Sequence, residues 1–252
     1  MRNSPPMCVV VLAWRAHPHW PLILAGNRDE FHARAASPLA RWPAHPGLIG
    51  GQDLQSGGMW LGVSEDGRFA VVTNLTGFGG PDPALASRGA LVKDWLADGL
   101  LDDTQLDAFN PFNLFVATTQ AARFLTNKPG PASAPLTPGI HALSNATPDL
   151  PWPRKDKLAR DMAAWLARDA GDVSALFDLL KAEDWPDGAP EAHPEEMRAP
   201  SPIFIRDSIY GTRCSTVIAI DRDGRGHAIE RRFDPNGTQT GETALPFVWP
   251  AF

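Results

Sequence analysis

Cysteine is nearly absent from this 252-residue chain, with only Cys8 and Cys214 present. There is no Cys-x-x-Cys pair and no His-Glu-x-x-His stretch, so the common zinc patterns are excluded and no metal is expected. Two thiols make no disulfide framework, and a lone Cys8–Cys214 bridge is weak ground for secretion. Both are expected reduced, in a cytoplasmic protein. No apolar run approaches the roughly 18 residues of a membrane span, and Val9 to Ala13 is too short for a signal-peptide core, so no stable membrane insertion is expected. Positive charge is also short: 29 acidic residues against 23 Lys plus Arg give a formal net charge of −6, and nucleic acid is not an expected partner. Repeats and long charged tracts are missing too, which leaves a pure scaffold without support.

What is present starts with Met7-Cys8-Val9-Val10-Val11-Leu12-Ala13-Trp14 and Leu22-Ile23-Leu24-Ala25-Gly26-Asn27-Arg28-Asp29-Glu30-Phe31. Both segments open on aliphatic, β-branched runs too short for helices, and Pro18 and Pro21 break the chain between them, which predicts a β-hairpin. Antiparallel pairing brings Cys8 to the polar cluster from Asn27 to Glu30. A thiol becomes a nucleophile when a base takes its proton, and an α-amine with a pKa near 8 does so when the cysteine is residue one. Met7 reads as a second start site. Initiation there, followed by removal of Met7, leaves Cys8 with a free amine, whereas retaining the polar extension at 1–6 blocks it. The bland alternative is a small buried strand residue, the commoner fate of a free cysteine.

Further motifs are Gly50-Gly51-Gln52-Asp53-Leu54-Gln55-Ser56-Gly57-Gly58-Met59-Trp60-Leu61-Gly62, Gly139-Ile140-His141-Ala142-Leu143-Ser144-Asn145-Ala146 and Tyr210-Gly211-Thr212-Arg213. Together with Met7-Cys8 and Asn27-Arg28-Asp29-Glu30-Phe31 they resemble the NRDE family, also called the Transport and Golgi organisation protein 2 family. That family is similar to the cysteine branch of the N-terminal-nucleophile hydrolases, the bile salt hydrolase and penicillin V acylase group. The resemblance implies an α+β fold, a four-layer αββα sandwich of antiparallel sheets, as a single domain over residues 7–252. It implies Cys8 as nucleophile, Asp29 as the group holding the α-amine, Asn74 and Asn145 as oxyanion donors and Arg213 as the cation beside the thiol. Asn27, Arg28 and Trp60 are the expected substrate-binding residues. The hydrolases carry an arginine where this chain has Gly26, and Arg28 substitutes for it only with its side chain turned inward.

The function expected on that basis is hydrolysis of a linear amide through an acyl-enzyme, with a small-molecule amide as partner and no required cofactor. The alternative is a non-catalytic haem or lipid carrier on the same fold, holding an apolar ligand, because the eukaryotic relatives are linked to haem and lipid handling. Haem needs an axial His, Cys or Met, and His17, His19, His32, His141 or Cys8 qualify with no spacing that singles one out.

Elsewhere Ser37 to Pro46 reads as an ordered loop. Gly50 to Gly58 reads as a tight turn near the nucleophile, since it lacks the Lys-Ser/Thr ending of a phosphate loop. Met59–Val63 and Phe69–Thr73 flank an Asp-Gly turn and form a second hairpin ending at Asn74. Ser87 caps a helix that Gly99 stops, and Phe112–Thr118 pairs with Arg123–Thr126. Pro129 to Pro138 is a predicted surface loop. Helices are predicted over about Lys155–Arg168 and around Val173–Leu180, then a long loop over Trp185–Pro202. Ile203–Ile205 is a predicted strand, Cys214–Ile220 and His227–Phe233 a third hairpin. Arg213 stands just before that hairpin, with Cys214 facing the opposite way.

Overall fold

The computed structural model describes residues 8–79, 81–147, 149–168, 171–184 and 201–252. In chain order the strands are β1 (Val9–Trp14), β2 (Leu22–Phe31), β3 (Ala40–Trp42), β4 (His45–Gly50), β5 (Leu61–Ser64) and β6 (Arg68–Asn74), then helix α1 (Arg88–Asp98). β7 (Phe112–Ala117), β8 (Ala122–Thr126), β9 (Ala132–Pro135) and β10 (Gly139–Leu143) follow, then α2 (Pro153–Leu166) and α3 (Leu176–Leu180). β11 (Tyr210–Ile220), β12 (Arg225–Phe233) and β13 (Gln239–Val248) complete the set.

Two antiparallel sheets result, ordered β10-β1-β2-β11-β12-β13 and β3-β4-β5-β6-β7-β8-β9. Period-2 alternation explains why they stack: the central strands are apolar on both faces and need cover on both. Val10, Leu12, Leu22 and Leu24 meet Ile49, Val63, Phe69 and Val71 between the sheets. The alternate residues Val9, Val11, Ile23 and Ala25 pack under Leu158, Met162, Leu176 and Phe177 of α2 and α3. On the far side Leu48, Ala70, Val72 and Leu114 receive Leu91, Val92 and Leu96 of α1. The layers are therefore α, β, β, α, and the fold is the expected four-layer α+β sandwich.

The three predicted hairpins form as β1–β2, β5–β6 and β11–β12. Gly99 ends α1 in the left-handed region at φ 70°, donating its N–H to the carbonyl of Trp95, while Ser87 precedes the helix without a side-chain cap. Four local expectations are corrected. The Ser37–Pro46 segment contains β3 and the start of β4, because Arg41 pairs with Ile49 despite the flanking prolines. Pro129–Pro138 contains β9, an exposed edge strand on β8, where proline costs no ladder bond. Ile203–Ile205 is not a strand but a segment tied by Phe204 N–H to Ala182 and by Thr212 N–H to Ile205. β11 starts at Tyr210, so Arg213 lies inside it. Residues 1–7 and most of the Trp185–Pro202 loop, residues 185–200, lie outside the described residues.

Candidate functional site

Cys8 sits one residue ahead of β1. Val9 pairs with Asn27, so the next antiparallel step sets Cys8 opposite Arg28, and Arg28 pairs in turn with Cys214, which pairs with Arg232. Register partners share a sheet face. Cys8, Arg28, Cys214 and Arg232 therefore form one row across four strands, and all four line a cleft of about 430 Å³ at the end of the inter-sheet core. Its other walls include Trp60, Asn74, Asp53, Arg34 and Arg88.

Both thiols are free. Two strand spacings put the paired backbones roughly 10 Å apart, beyond the ~7 Å that a disulfide spans. The Cys8 thiol points toward the Asp29 carbonyl at 3.9 Å, and its own carbonyl accepts a hydrogen bond of 3.1 Å from the Ser144 hydroxyl. Burial pushes the thiol up to about 12, and the Asp29 charge adds to that, against a weaker opposing pull from Arg28. With a peptide bond ahead of it, this sulfur is a neutral thiol at physiological pH.

Asp29 follows Arg28 in the chain and turns its carboxylate to the opposite face of the sheet. Its Oδ2 accepts from Arg154 Nη2 at 2.8 Å and its Oδ1 from the Thr212 hydroxyl at 2.6 Å. Burial pushes its carboxyl up, while the Arg154 guanidinium and the Thr212 hydroxyl pull the other way. Arg154, on the first turn of α2, carries no mark of a site residue in the sequence. The only signal for it is that a buried carboxylate needs a buried cation.

Asn145 follows the same register logic as Arg28. Val10 pairs with Leu143, so two residues on, Asn145 comes opposite Cys8. It is buried, its backbone carbonyl is held by Thr76, and its side-chain oxygen has no hydrogen-bond partner among the described residues. Asn74 ends β6 exposed, on the cleft wall. Arg213 lines the cleft from a bulge between Thr212 and Cys214, where its Nη1 donates at 2.9 Å to the carbonyls of Phe31 and Arg34. That bulge is why Cys214 shares the cleft with Arg213 instead of facing away: the extra residue breaks the alternation.

Of the residues expected to bind substrate, Arg28 and Trp60 line the cleft and Asn27 does not. Asn27 faces the helix layer with its amide saturated, donating to the carbonyls of Leu180 and Ile203 at 2.8 and 2.9 Å and accepting from Ser215 at 2.6 Å. It is a structural pin. Arg28 is turned inward, as it must be to stand in for an arginine at position 26, and it lies 3.6 Å from Asp53 and 3.7 Å from Glu30. Gly26 leaves no room for a larger residue, since a Cβ there would come within 2.5 Å of Val10 Cγ1.

None of the histidines His17, His19, His32 and His141 lines the cleft; Cys8 does. No described helix is long and apolar enough to cross a membrane. The solved structures that the chain resembles include two altered forms of a conjugated bile acid hydrolase from Clostridium perfringens. One is a cysteine-to-alanine mutant (TM-score 0.52, covering 95% of this chain and 92% of that one), the other an arginine-to-leucine variant (TM-score 0.50, 97% and 98%). Each is 10% identical in sequence, so the likeness is one of fold. Sequence relatives are nearer. The Transport and Golgi organization protein 2 homolog of Bos taurus is 31% identical over 93% of this chain and 97% of its own length, and the Homo sapiens homolog is 30% identical over 89% and 92%. The family model described as Transport and Golgi organisation 2 matches residues 7–235, a span holding the thiol, the Asn27–Glu30 cluster, both asparagines and the bulged arginine. The chain accordingly belongs to the Transport and Golgi organisation 2 family.

Proposed function

We propose that this protein hydrolyses a linear amide through an acyl-enzyme on Cys8, and that it does so when Cys8 is the first residue of the chain. The observation that carries this reading is the position of Cys8: one residue ahead of a buried strand, in a cleft, with its thiol held neutral unless a base joins it. The missing base is the α-amine. It takes the thiol proton as sulfur adds to the substrate carbonyl, and the carbonyl oxygen becomes an oxyanion. The candidate donors to it are Asn74, on the cleft wall, and Asn145, buried opposite Cys8 in the register and not among the lining residues. Collapse expels the amine, which takes the proton back from the α-ammonium. Water, deprotonated by the same α-amine, then cleaves the thioester and releases the acid. In this scheme Asp29 acts from behind the strand. Its carbonyl faces the thiol, and its carboxylate, fixed by Arg154 and Thr212, sets the charge near the chain start. The fold is also shared with a conjugated bile acid hydrolase, which supports hydrolase chemistry on such a frame.

The test is turnover of pooled N-acyl amides, followed by mass, for a chain beginning at Cys8 and for its Cys8→Ala variant. Release of free acid by the first alone supports the reading; no release from any amide in the pool defeats it.

One observation favours a second reading, a non-catalytic carrier of haem or lipid: the thiol raised to about 12 is inert as it stands. Of the residues named as axial candidates, Cys8 lines the cleft and the four histidines do not, and as a neutral thiol it is a poor haem ligand, so an apolar ligand fits this reading better. Absorbance during haem titration separates the two, because axial thiolate or imidazole ligation shifts the haem bands.

A further inference from the structure

We propose that Arg88 anchors a carboxylate carried by the substrate, making the cleft selective for amides that bear an acid group. The inference rests on the amidase reading for the word substrate, and on the charge balance of the cleft for the rest. Among the described residues five arginines line that cleft, Arg28, Arg34, Arg88, Arg213 and Arg232, within a chain whose formal net charge is −6. The carboxylates that the described residues put on the same walls are Glu30, Asp53 and Glu230, since the Asp29 carboxylate turns away to Arg154. Asp53 pairs with Arg34 at 2.7 Å and more distantly with Arg28, which also lies near Glu30, and Glu230 pairs with Arg232 at 3.1 Å. Among the described residues two positive charges remain. Arg213 spends Nη1 on two backbone carbonyls. Arg88 makes a single 3.4 Å hydrogen bond, to the Pro111 carbonyl, and has no ion-pair partner among the described residues.

A half-buried guanidinium with open donors beside other cations is costly to keep charged, and a two-oxygen anion in the fork relieves that cost. Burial and the neighbouring Arg34 both lower the Arg88 pKa, in keeping with a site that lacks its anion. Arg88 opens α1, the helix that covers the second sheet, and lines the same cleft as Cys8, so an acid held there shares the cleft with the sulfur. The acid can belong to either side of the amide bond, and two probes separate these cases. N-octanoylglycine carries it on the amine, and the monoamide of octanedioic acid carries it on the acyl group.

Binding of each probe and of its methyl ester is measured by calorimetry on the full chain carrying Cys8→Ala, which cannot acylate. The acid form of at least one probe should bind on the order of tenfold tighter than its ester. Arg88→Gln should abolish that preference, and Arg88→Lys should keep part of it, with melting temperature checking that each variant is folded. Equal binding of acid and ester for both probes, or a preference untouched by Arg88→Gln, overturns the proposal. The outcome is separable from that of the amidase reading. A chain that binds acids through Arg88 and hydrolyses nothing defeats only the latter, and one that hydrolyses neutral amides as fast as acidic ones, with no binding preference, defeats only this inference.

Discussion

Arg154 and Asp29 form an ion pair of 2.8 Å, with side chains 1% and 0% exposed, that bolts helix α2 to the back of the strand whose front carries the candidate site. Removing one partner of such a pair strands the other charge in the interior. Arg154→Met should lower unfolding free energy by about 3–5 kcal/mol. The double variant with Asp29→Asn should recover a large part of that loss, since it leaves no lone charge. Urea denaturation of the single and double variants measures both, and a single variant as stable as the parent would show that the pair is not holding the helix.

The thiol gives a pH signature. In a chain with residues preceding Cys8, only the thiolate alkylates, and the pKa of about 12 keeps that fraction small. Iodoacetamide labelling of Cys8 should therefore rise about tenfold per pH unit between about pH 8 and 11, with no plateau. In a chain beginning at Cys8 the α-ammonium stabilises thiolate, so the profile should shift to lower pH and level off. Peptide mass mapping distinguishes Cys8 from Cys214, whose thiol burial and Glu230 also push well up. A plateau near neutrality in the extended chain contradicts the account of the buried sulfur.

Gly26 is fixed by packing. The space its Cβ would fill is taken by Val10 Cγ1, and Val9 O lies 3.1 Å from the same point. Gly26→Ala should cost about 1–3 kcal/mol through overpacking, and Val10→Ala in the same chain should relieve part of it. An arginine placed at 26 should destabilise further and should not raise activity, because Arg28 already occupies the inward face. Thermal melting of the three variants is the check.

Much of the fold is legible in the sequence because local signals and tertiary demands agree. The β1–β2 hairpin follows from its aliphatic runs and bracketing prolines, and the β5–β6 turn from Asp66-Gly67. The α1 stop follows from Gly99. What cannot be read depends on long-range partners. Arg154 gains its importance from a carboxylate 125 residues away. Asn27 reads as a substrate-binding residue through the resemblance, yet strand alternation turns it to the helix layer, where Leu180, Ile203 and Ser215 consume its amide. Cys214 is hidden for the reverse reason, since a one-residue bulge at Arg213 has no sequence mark. β13 carries no clear apolar alternation until it is laid against β12.

Asn27 makes its own prediction. As a pin rather than a ligand contact, Asn27→Ala should cost about 2 kcal/mol or more in stability by leaving buried carbonyls unpaired. It should leave the affinity for any amide substrate near that of the parent. A variant that keeps full stability but loses substrate binding would return Asn27 to the cleft.

The most direct measurement is intact-mass analysis after exposing two chains, one beginning at Cys8 and one retaining residues 1–7, to an acylating β-lactone at neutral pH. A single acyl adduct on Cys8 in the first chain, and none in the second, is the predicted result. Equal acylation of both chains, or an adduct that maps to any other residue, would contradict the assignment of the nucleophile and its amine.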